Sequence, residues 1–254
     1  MFLCCGRICI EAVRTGHLMN VYNSSMKILA IETSTMLGGA AVADENGILA
    51  EIRLNVKTTH SERLMSAVDH ILKQADTGLD QISVFCAASG PGSFTGLRIG
   101  LGTVKGLCYA TGKPLVMVPT LDAFAWNFAY SSHPVCLMLD ARKGEVYTAA
   151  YKWHEDGFEK IITESAMKVE DICSSFDGPV VLAGEGVSIY RERILSLLGE
   201  RAIIAPPEKM VPSPACTAVL GLGRALRQDF VDPYAAEPFY MRKSEAELKF
   251  RQGH

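Results

Sequence analysis

From Lys27 onward the apolar residues fall into short runs separated by stretches of helical period. Lys27 to Glu32 is apolar at Ile28, Leu29, Ala30 and Ile31, which has the length and composition of a buried strand. Gly38 to Ala43 and Ile48 to Leu54 predict two more strands, with Asp44-Glu45-Asn46-Gly47 between them as a hairpin turn. Three strands joined by short loops make a meander, not a strand-helix-strand unit. Thr59 and Glu62 form a capping box ahead of a helix, on which Leu64, Met65, Val68, Ile71, Leu72 and Ala75 share one face. Ile82 to Ala88 predicts a fourth strand. The loop Ser89 to Gly96 then leads into a long helix that ends near Thr111, stopped by Gly112 and Pro114. Leu115 to Val118 is a fifth strand and Leu121 to Ala129 a short helix. The order βββαβαβα is that of a ribonuclease-H-like lobe.

The same order restarts in the second half. Val135 to Leu139, Glu145 to Trp153 and Phe158 to Ile162 read as strands, with Arg142-Lys143-Gly144 as a turn. Helix Val169 to Phe176, strand Val180 to Ala183, helix Val187 to Leu198, strand Ala202 to Ala205 and helix Pro214 to Arg227 complete it. No sequence-level repeat accompanies this. Element order alone predicts an α/β, two-lobed actin-like ATPase (ASKHA) fold, each lobe a mixed sheet with flanking helices. The expected organisation is an N-terminal lobe over 26–133, a smaller C-terminal lobe over 134–231 and an extended tail over 232–254, where Pro233 and Pro238 fall. Residues 1–25 fit none of it. They lack a basic start and a cleavage site, and read as a disordered or misassigned extension with Met26 as the functional start.

Composition narrows the function classes. At 48% hydrophobic and 21% charged, the 254 residues suit a folded domain rather than a disordered one. A net charge of −3 excludes a dominating polybasic footprint, so any nucleic-acid contact is local or shared with a partner. No window reaches the roughly 18 apolar residues of a membrane span. The eight cysteines include no C-x-x-C pair, and five sit singly among apolar residues, a usage that suits a reducing cytosol.

Chemistry concentrates around the glycines. Gly90, Gly92 and Ser93 end a strand and open a helix, where free amides can take phosphate. The same residues fit a tight strand-to-helix turn with no ligand. Thr33 and Ser34 add hydroxyl donors after the first strand, although Glu32 brings negative charge to the same place. These residues leave weak ATP or ADP binding open, and no other cofactor is implied. The dinucleotide, Walker A and nucleophile-elbow patterns each fail by a residue or more. Gly96, Gly100, Gly102 and Gly106 lie inside the long helix, each at a cost of about 1 kcal/mol relative to Ala. Their return is a close backbone approach, either by the helix carrying Leu64 or by a helix of another chain. The histidines are scattered, and no catalytic triad or metal set can be assembled.

Lys27-Ile-Leu-Ala-Ile-Glu-Thr-Ser, His60-Ser-Glu, Ser89-Gly-Pro-Gly-Ser-Phe-Thr-Gly-Leu-Arg-Ile-Gly100, Asp140-Ala-Arg-Lys-Gly-Glu-Val-Tyr147 and Pro238-Phe-Tyr-Met-Arg242 together resemble the TsaB (YeaZ) family. The resemblance runs from Met26 to Arg242. It implies a cytoplasmic, non-catalytic role in making N6-threonylcarbamoyladenosine in tRNA, beside TsaD, the subunit that transfers the threonylcarbamoyl group. TsaD-like chains carry H-M-E-G-H after the fifth strand, with two metal-binding histidines. Here Thr120 and Phe124 stand at those positions, and a phenyl ring cannot ligate a metal. The resemblance also implies a heterodimer with TsaD through the two N-lobe helices, using Leu64, Met65, Val68, Gly96, Leu97, Gly100, Gly102 and Gly106. TsaE is a further implied partner, tRNA is held only by the complex, and a homodimer is expected where TsaD is absent. On this reading Gly100→Leu abolishes TsaD binding and leaves the monomer folded. The competing readings are an autonomous actin-fold ATPase or phosphotransferase, with Glu32 and Asp140 as its candidate magnesium ligands, and a peptidase.

Overall fold

Ile28 to Ile31 are completely buried, which requires cover on both faces of their strand. The computed structural model, which describes residues 25–55 and 60–242, supplies that cover in layers. The expected extension 1–25 lies outside these residues, Ser25 apart, as do the Thr59 cap and the end of the tail, 243–254. The first sheet holds β1 (Ile28–Glu32), β2 (Leu37–Asp44), β3 (Gly47–Asn55), β4 (Val84–Gly90) and β5 (Leu115–Pro119) in the order β3-β2-β1-β4-β5. β2 is antiparallel to β1 and β3, while β1, β4 and β5 run parallel. The second sheet holds β6 (Val135–Asp140), β7 (Glu145–His154), β8 (Gly157–Lys168), β9 (Val180–Ala183) and β10 (Ala202–Ile204) in the order β10-β9-β6-β7-β8. Read from the other edge, this order and its strand directions repeat those of the first sheet. Each sheet therefore has the ribonuclease-H-like topology, and two in tandem make the actin-like fold.

Period-two alternation decides which face each strand residue serves. Leu29, Ile31, Val42 and Phe85 face α1 (His60–Gln74) and α2 (Phe94–Thr111), meeting Leu64, Val68, Ile71, Leu101 and Val104. Ile28, Ala30, Ala41, Ala43 and Cys86 face the opposite way, onto Ala218, Leu222 and Ala225 of α7 (Pro214–Leu226). The final helix thus packs on the first sheet although it follows the second. α3 (Thr120–Ala125) makes the reverse exchange, with Leu121 and Phe124 packed on Leu137, Leu139 and Ala149 of the second sheet. The outer face of that sheet is covered by α4 (Val169–Cys173), α5 (Glu185–Ile189) and α6 (Arg191–Leu198). The layers run helix, sheet, helix, sheet, helix.

The single helix expected over Val187 to Leu198 is two, meeting at Tyr190, whose φ of −103° and ψ of 20° leave the helical region. β8 is longer than the Phe158–Ile162 run, because its outer half is an edge of mixed polarity with no alternation to read. Glu51 of β3 receives the start of α7: its Oε1 accepts from Ser213 Oγ at 2.7 Å and from the Ala215 amide at 3.2 Å. Burial alone would raise its pKa. The Ser213 hydroxyl, Arg53 guanidinium and Ala215 amide outweigh that and hold the carboxyl below its ordinary range.

The helical glycines divide into two pairs, and among the described residues no helix makes the close approach. A Cβ at Gly96 would lie 2.0 Å from the Thr33 carbonyl oxygen, and one at Gly100 2.1 Å from Thr33 Oγ1. The β1–β2 turn of the same chain is therefore what α2 admits. At Gly102 and Gly106 a Cβ would meet nothing within 4 Å among the described residues, and both positions are exposed. Gly100→Leu is accordingly a folding defect and not a clean test of an interface. Gly96→Ala should lower stability by about 1–3 kcal/mol through overpacking. Gly102→Ala should raise it by about 0.4–1 kcal/mol through the unfolded chain. Urea midpoints of the two variants check this, and equal shifts would refute the division.

Candidate functional site

The carboxyl ends of β1 and β6 open on a cavity of about 500 Å³ between the lobes. One wall is the β1–β2 turn at Thr35 and Met36 with the loop Pro91–Thr95. The other is the β6–β7 turn, Asp140–Lys143, with Tyr147, Glu185 and Ile189. The C-terminal residues Phe239–Arg242 complete the lining.

The five residues expected to meet phosphate come together at one junction, where most of their polar groups are bonded within the protein, while Ser34 Oγ is buried with no hydrogen-bond partner among the described residues. Thr33 Oγ1 donates to the Gly96 carbonyl at 2.8 Å, and the Ser93 amide donates to the Ser34 carbonyl at 2.7 Å. Ser93 Oγ caps α2 by accepting from the Gly96 amide at 3.2 Å. The Gly90 amide donates to Thr120 Oγ1 at 3.2 Å. A Cβ at Gly92 would press on the Ser34 carbonyl at 2.4 Å, and one at Gly90 on the Phe239 carbonyl at 2.6 Å. Thr33 and Ser34 are buried, so of the five only Gly92 and Ser93 reach the cavity.

Glu32 is fully buried. Its carboxylate accepts from the Ser34 amide at 2.8 Å and from Thr217 Oγ1 of α7 at 3.2 Å. Burial is the largest influence and pushes its pKa up despite those donors. A carboxyl sealed between β1 and α7 holds the fold and is not presented to the cavity. Asp140, its counterpart at the end of β6, does line the cavity, and its Oδ1 accepts from the Arg142 amide at 2.8 Å. Glu185 lies beside it, its pKa raised by burial and then by the Asp140 charge.

Sequence reasoning assigned no role to Arg142, Lys143, Tyr147, Glu185 or the Phe239–Arg242 segment. Two of these stretches sit in runs already quoted for the resemblance. The local signal was the Arg142-Lys143-Gly144 turn, whose three residues all take positive φ, at 59°, 54° and 81°. Two non-glycine residues in that region carry a real backbone cost.

Thr120 and Phe124 are both completely buried. Thr120 accepts the Gly90 amide, and Phe124 packs its ring 6.2 Å from that of Phe128. Between them, Asp122 Oδ1 accepts from the Tyr151 hydroxyl at 2.8 Å and pairs with Lys160 at 2.8 Å. Among the described residues, no group of three or more His, Cys, Asp or Glu is placed to hold a metal ion.

Of the residues expected at an interface, Leu64, Val68 and Leu97 are at most 4% exposed and belong to the core of their own lobe. Gly96 and Gly100 are filled by Thr33. Met65, 48% exposed, and the open Gly102 and Gly106 remain on the outer face. Among the described residues no helix is long and apolar enough to cross a membrane.

Residues 47–250 match a family described as TsaD, tRNA N6-adenosine threonylcarbamoyltransferase. The chain is 31% identical over 228 residues to the tRNA threonylcarbamoyladenosine biosynthesis protein TsaB of Bacillus subtilis strain 168, covering 89% of this chain and 98% of that one. It is also 31% identical over 232 residues to the protein of the same name from Escherichia coli K12, covering 87% and 96%. The solved structure of YeaZ from Pseudomonas aeruginosa superposes with a TM-score of 0.72 at 26% identity, covering 85% of this chain and 99% of that one. With that identity sustained across both lobes, the chain belongs to the TsaB (YeaZ) family.

Proposed function

We propose that this chain is an accessory subunit in the transfer of a threonylcarbamoyl group to N6 of adenosine next to the anticodon of tRNA. It acts by heterodimerising with TsaD through α1 and α2 and activating it. The observation that carries this reading is the similarity, over both lobes, to proteins named for tRNA threonylcarbamoyladenosine biosynthesis. The division of labour is supported by α3, where Thr120 and Phe124 are core residues and offer no ligand for a metal. The contact face is supported by the open glycines of α2, which let a partner helix approach to backbone distance. TsaE joins the same assembly, tRNA is gripped by the complex as a whole, and the chain self-associates when TsaD is absent. A net charge of −3 favours shared over independent tRNA binding. Cytoplasmic placement is supported by cysteines that occur singly and, at Cys86, Cys108, Cys136 and Cys173, buried and free.

A second reading, weak ATP or ADP binding with autonomous phosphotransfer, is favoured by Arg142 and Lys143 on the cavity wall. Against it stand the buried Glu32 and the internal bonds made by the Thr33 hydroxyl and the Ser93 amide. Reconstitution separates the two readings. Unmodified tRNA, ATP and the partner enzymes should give product only when this chain is added, and this chain alone should give neither product nor ATP turnover. Full activity without it, or turnover by it alone, sinks the accessory reading.

Two variants refine the outcome. Gly106→Leu should weaken TsaD binding at least about tenfold, close to 1.4 kcal/mol, with the melting temperature not lowered. Unchanged affinity would move the interface elsewhere. Glu32→Gln should support activity within about twofold of the parent, since a buried structural carboxyl touches no substrate. Because burial raises the Glu32 pKa in the fold, its ionisation costs stability as pH rises from 4.5 through the folded value. The advantage of Glu32→Gln over the parent should therefore grow with pH across that window, as read by urea unfolding at successive pH values. A magnesium ligand would instead lose activity on substitution.

A further inference from the structure

The C-terminal segment is pinned to the first lobe at several points and bonds to the second through one residue, Arg242. Lys105 Nζ donates to the carbonyls of Tyr234 at 3.3 Å and Ala236 at 3.1 Å, and Ala236 enters the core under α2. The Phe239 amide donates to the Ser89 carbonyl at 2.7 Å. Gly90 carries no side chain where the Phe239 carbonyl passes, 2.6 Å from its Cβ position. The Tyr240 ring lies 4.7 Å from that of Phe94, and its hydroxyl accepts from Arg98 Nε at 3.0 Å. Such a seat is built for this segment.

Beyond Tyr240 the chain crosses the mouth of the cavity. Arg242 forms an ion pair with Glu145, the first residue of β7, and its Nη1 lies 3.5 Å from the Ala141 carbonyl. Elsewhere the lobes are joined by α3 and α7, which pack between the sheets. Phe239–Arg242 line the cavity itself, so this segment is a third link on its open side. The Arg142-Lys143-Gly144 turn beside Glu145 is the strained part of the second wall, and the part most able to relax when released.

We propose that Phe239–Arg242 is a latch across the interlobe cavity, with the Arg242–Glu145 ion pair as its catch. While the pair is made, the β6–β7 turn is held against the Gly-rich loop. When it breaks, the turn swings away and opens Asp140 and Glu185 to solvent. The two side chains remain 34% and 25% exposed. An ion pair of that kind shifts an equilibrium by no more than about fivefold, so the catch is releasable and not a structural weld. The latch is seated on Phe94 and Arg98 at the start of α2, and it is a property of this chain alone that holds whether or not α2 also meets TsaD.

Hydrogen exchange on the full chain tests it, comparing the parent with Arg242→Ala, Arg242→Glu and the exchanged pair Arg242→Glu/Glu145→Arg. Arg242→Ala and Arg242→Glu should speed exchange about two- to fivefold over 140–147 and 89–95, and leave β1 and α1 at parental rates. The exchanged pair should restore the slow rates. Parental rates in Arg242→Ala would overturn the latch, as would a rise spread evenly over both sheets, which marks lost stability and not a released contact. Failure of the exchanged pair to restore protection would overturn the catch.

Discussion

The architecture turns on one close approach, the β1–β2 turn pressed into the first two turns of α2. Thr33 fits there only because Gly96 and Gly100 present bare backbone, and its hydroxyl repays the contact by donating to the Gly96 carbonyl. This fixes the register between the central strand of the first sheet and its longest helix. It also decides what the cavity can offer. The amide of Ser93 and the hydroxyl of Thr33, the groups that would otherwise face an anion at a helix N-terminus, are committed inside the protein. A buried donor already satisfied gains little by exchanging its partner for a ligand. The same contact that orders the fold thus commits two of the donors at its phosphate junction.

Glu32 follows from that arrangement. Once the turn is clamped, the last residue of β1 points toward α7, and its carboxyl must find partners there. The Ser34 amide and the Thr217 hydroxyl supply them, although the cost of burial still dominates its ionisation. At the matching place in the second lobe, Asp140 ends β6 but is bounded by the exposed β6–β7 turn and stays at the cavity. Two carboxylates in equivalent topological positions therefore have opposite environments. One is a core group bonded across layers, and the other is a half-buried acid at the cavity with Glu185 beside it.

Much of the fold was legible because the strands are buried on both faces or alternate cleanly. Ile28 to Ile31 announce a central strand, and Asp44 to Gly47 a hairpin, without reference to anything distant. The order of elements was enough for the two-lobed architecture. What linear order does not carry is the exchange of helices between sheets. Nothing local in Pro214 to Leu226 says that it returns to β1, and nothing in Thr120 to Ala125 says that it crosses to β6. Glycines in the long helix correctly signalled a close approach, yet spacing cannot say which neighbour arrives. The neighbour was a turn some sixty residues upstream for one pair and open space for the other. The cavity wall was missed for a related reason. Arg142 and Lys143 read as an ordinary polar turn, and Phe239 to Arg242 as tail, until folding brings them to one opening.

The helix that follows β5 gives the clearest link between packing and proposed role. At the two positions where the resemblance to TsaD-like chains implies metal-binding histidines, this chain has a threonine that accepts a backbone amide and a phenylalanine with no exposed surface. Asp122, between them, is drawn toward the second sheet by Tyr151 and Lys160. Leu121, Asp122 and Phe124 are thereby used to join the lobes, while Thr120 holds the Gly90 amide within the first. Converting it to a metal site would require Phe124 to leave the core, at a cost of about 3–5 kcal/mol for the aromatic contacts alone. A segment so committed to cohesion is poorly suited to chemistry. That commitment supports the proposed accessory role, for which the exposed half of α2, with its two open glycines, is the proposed contact face.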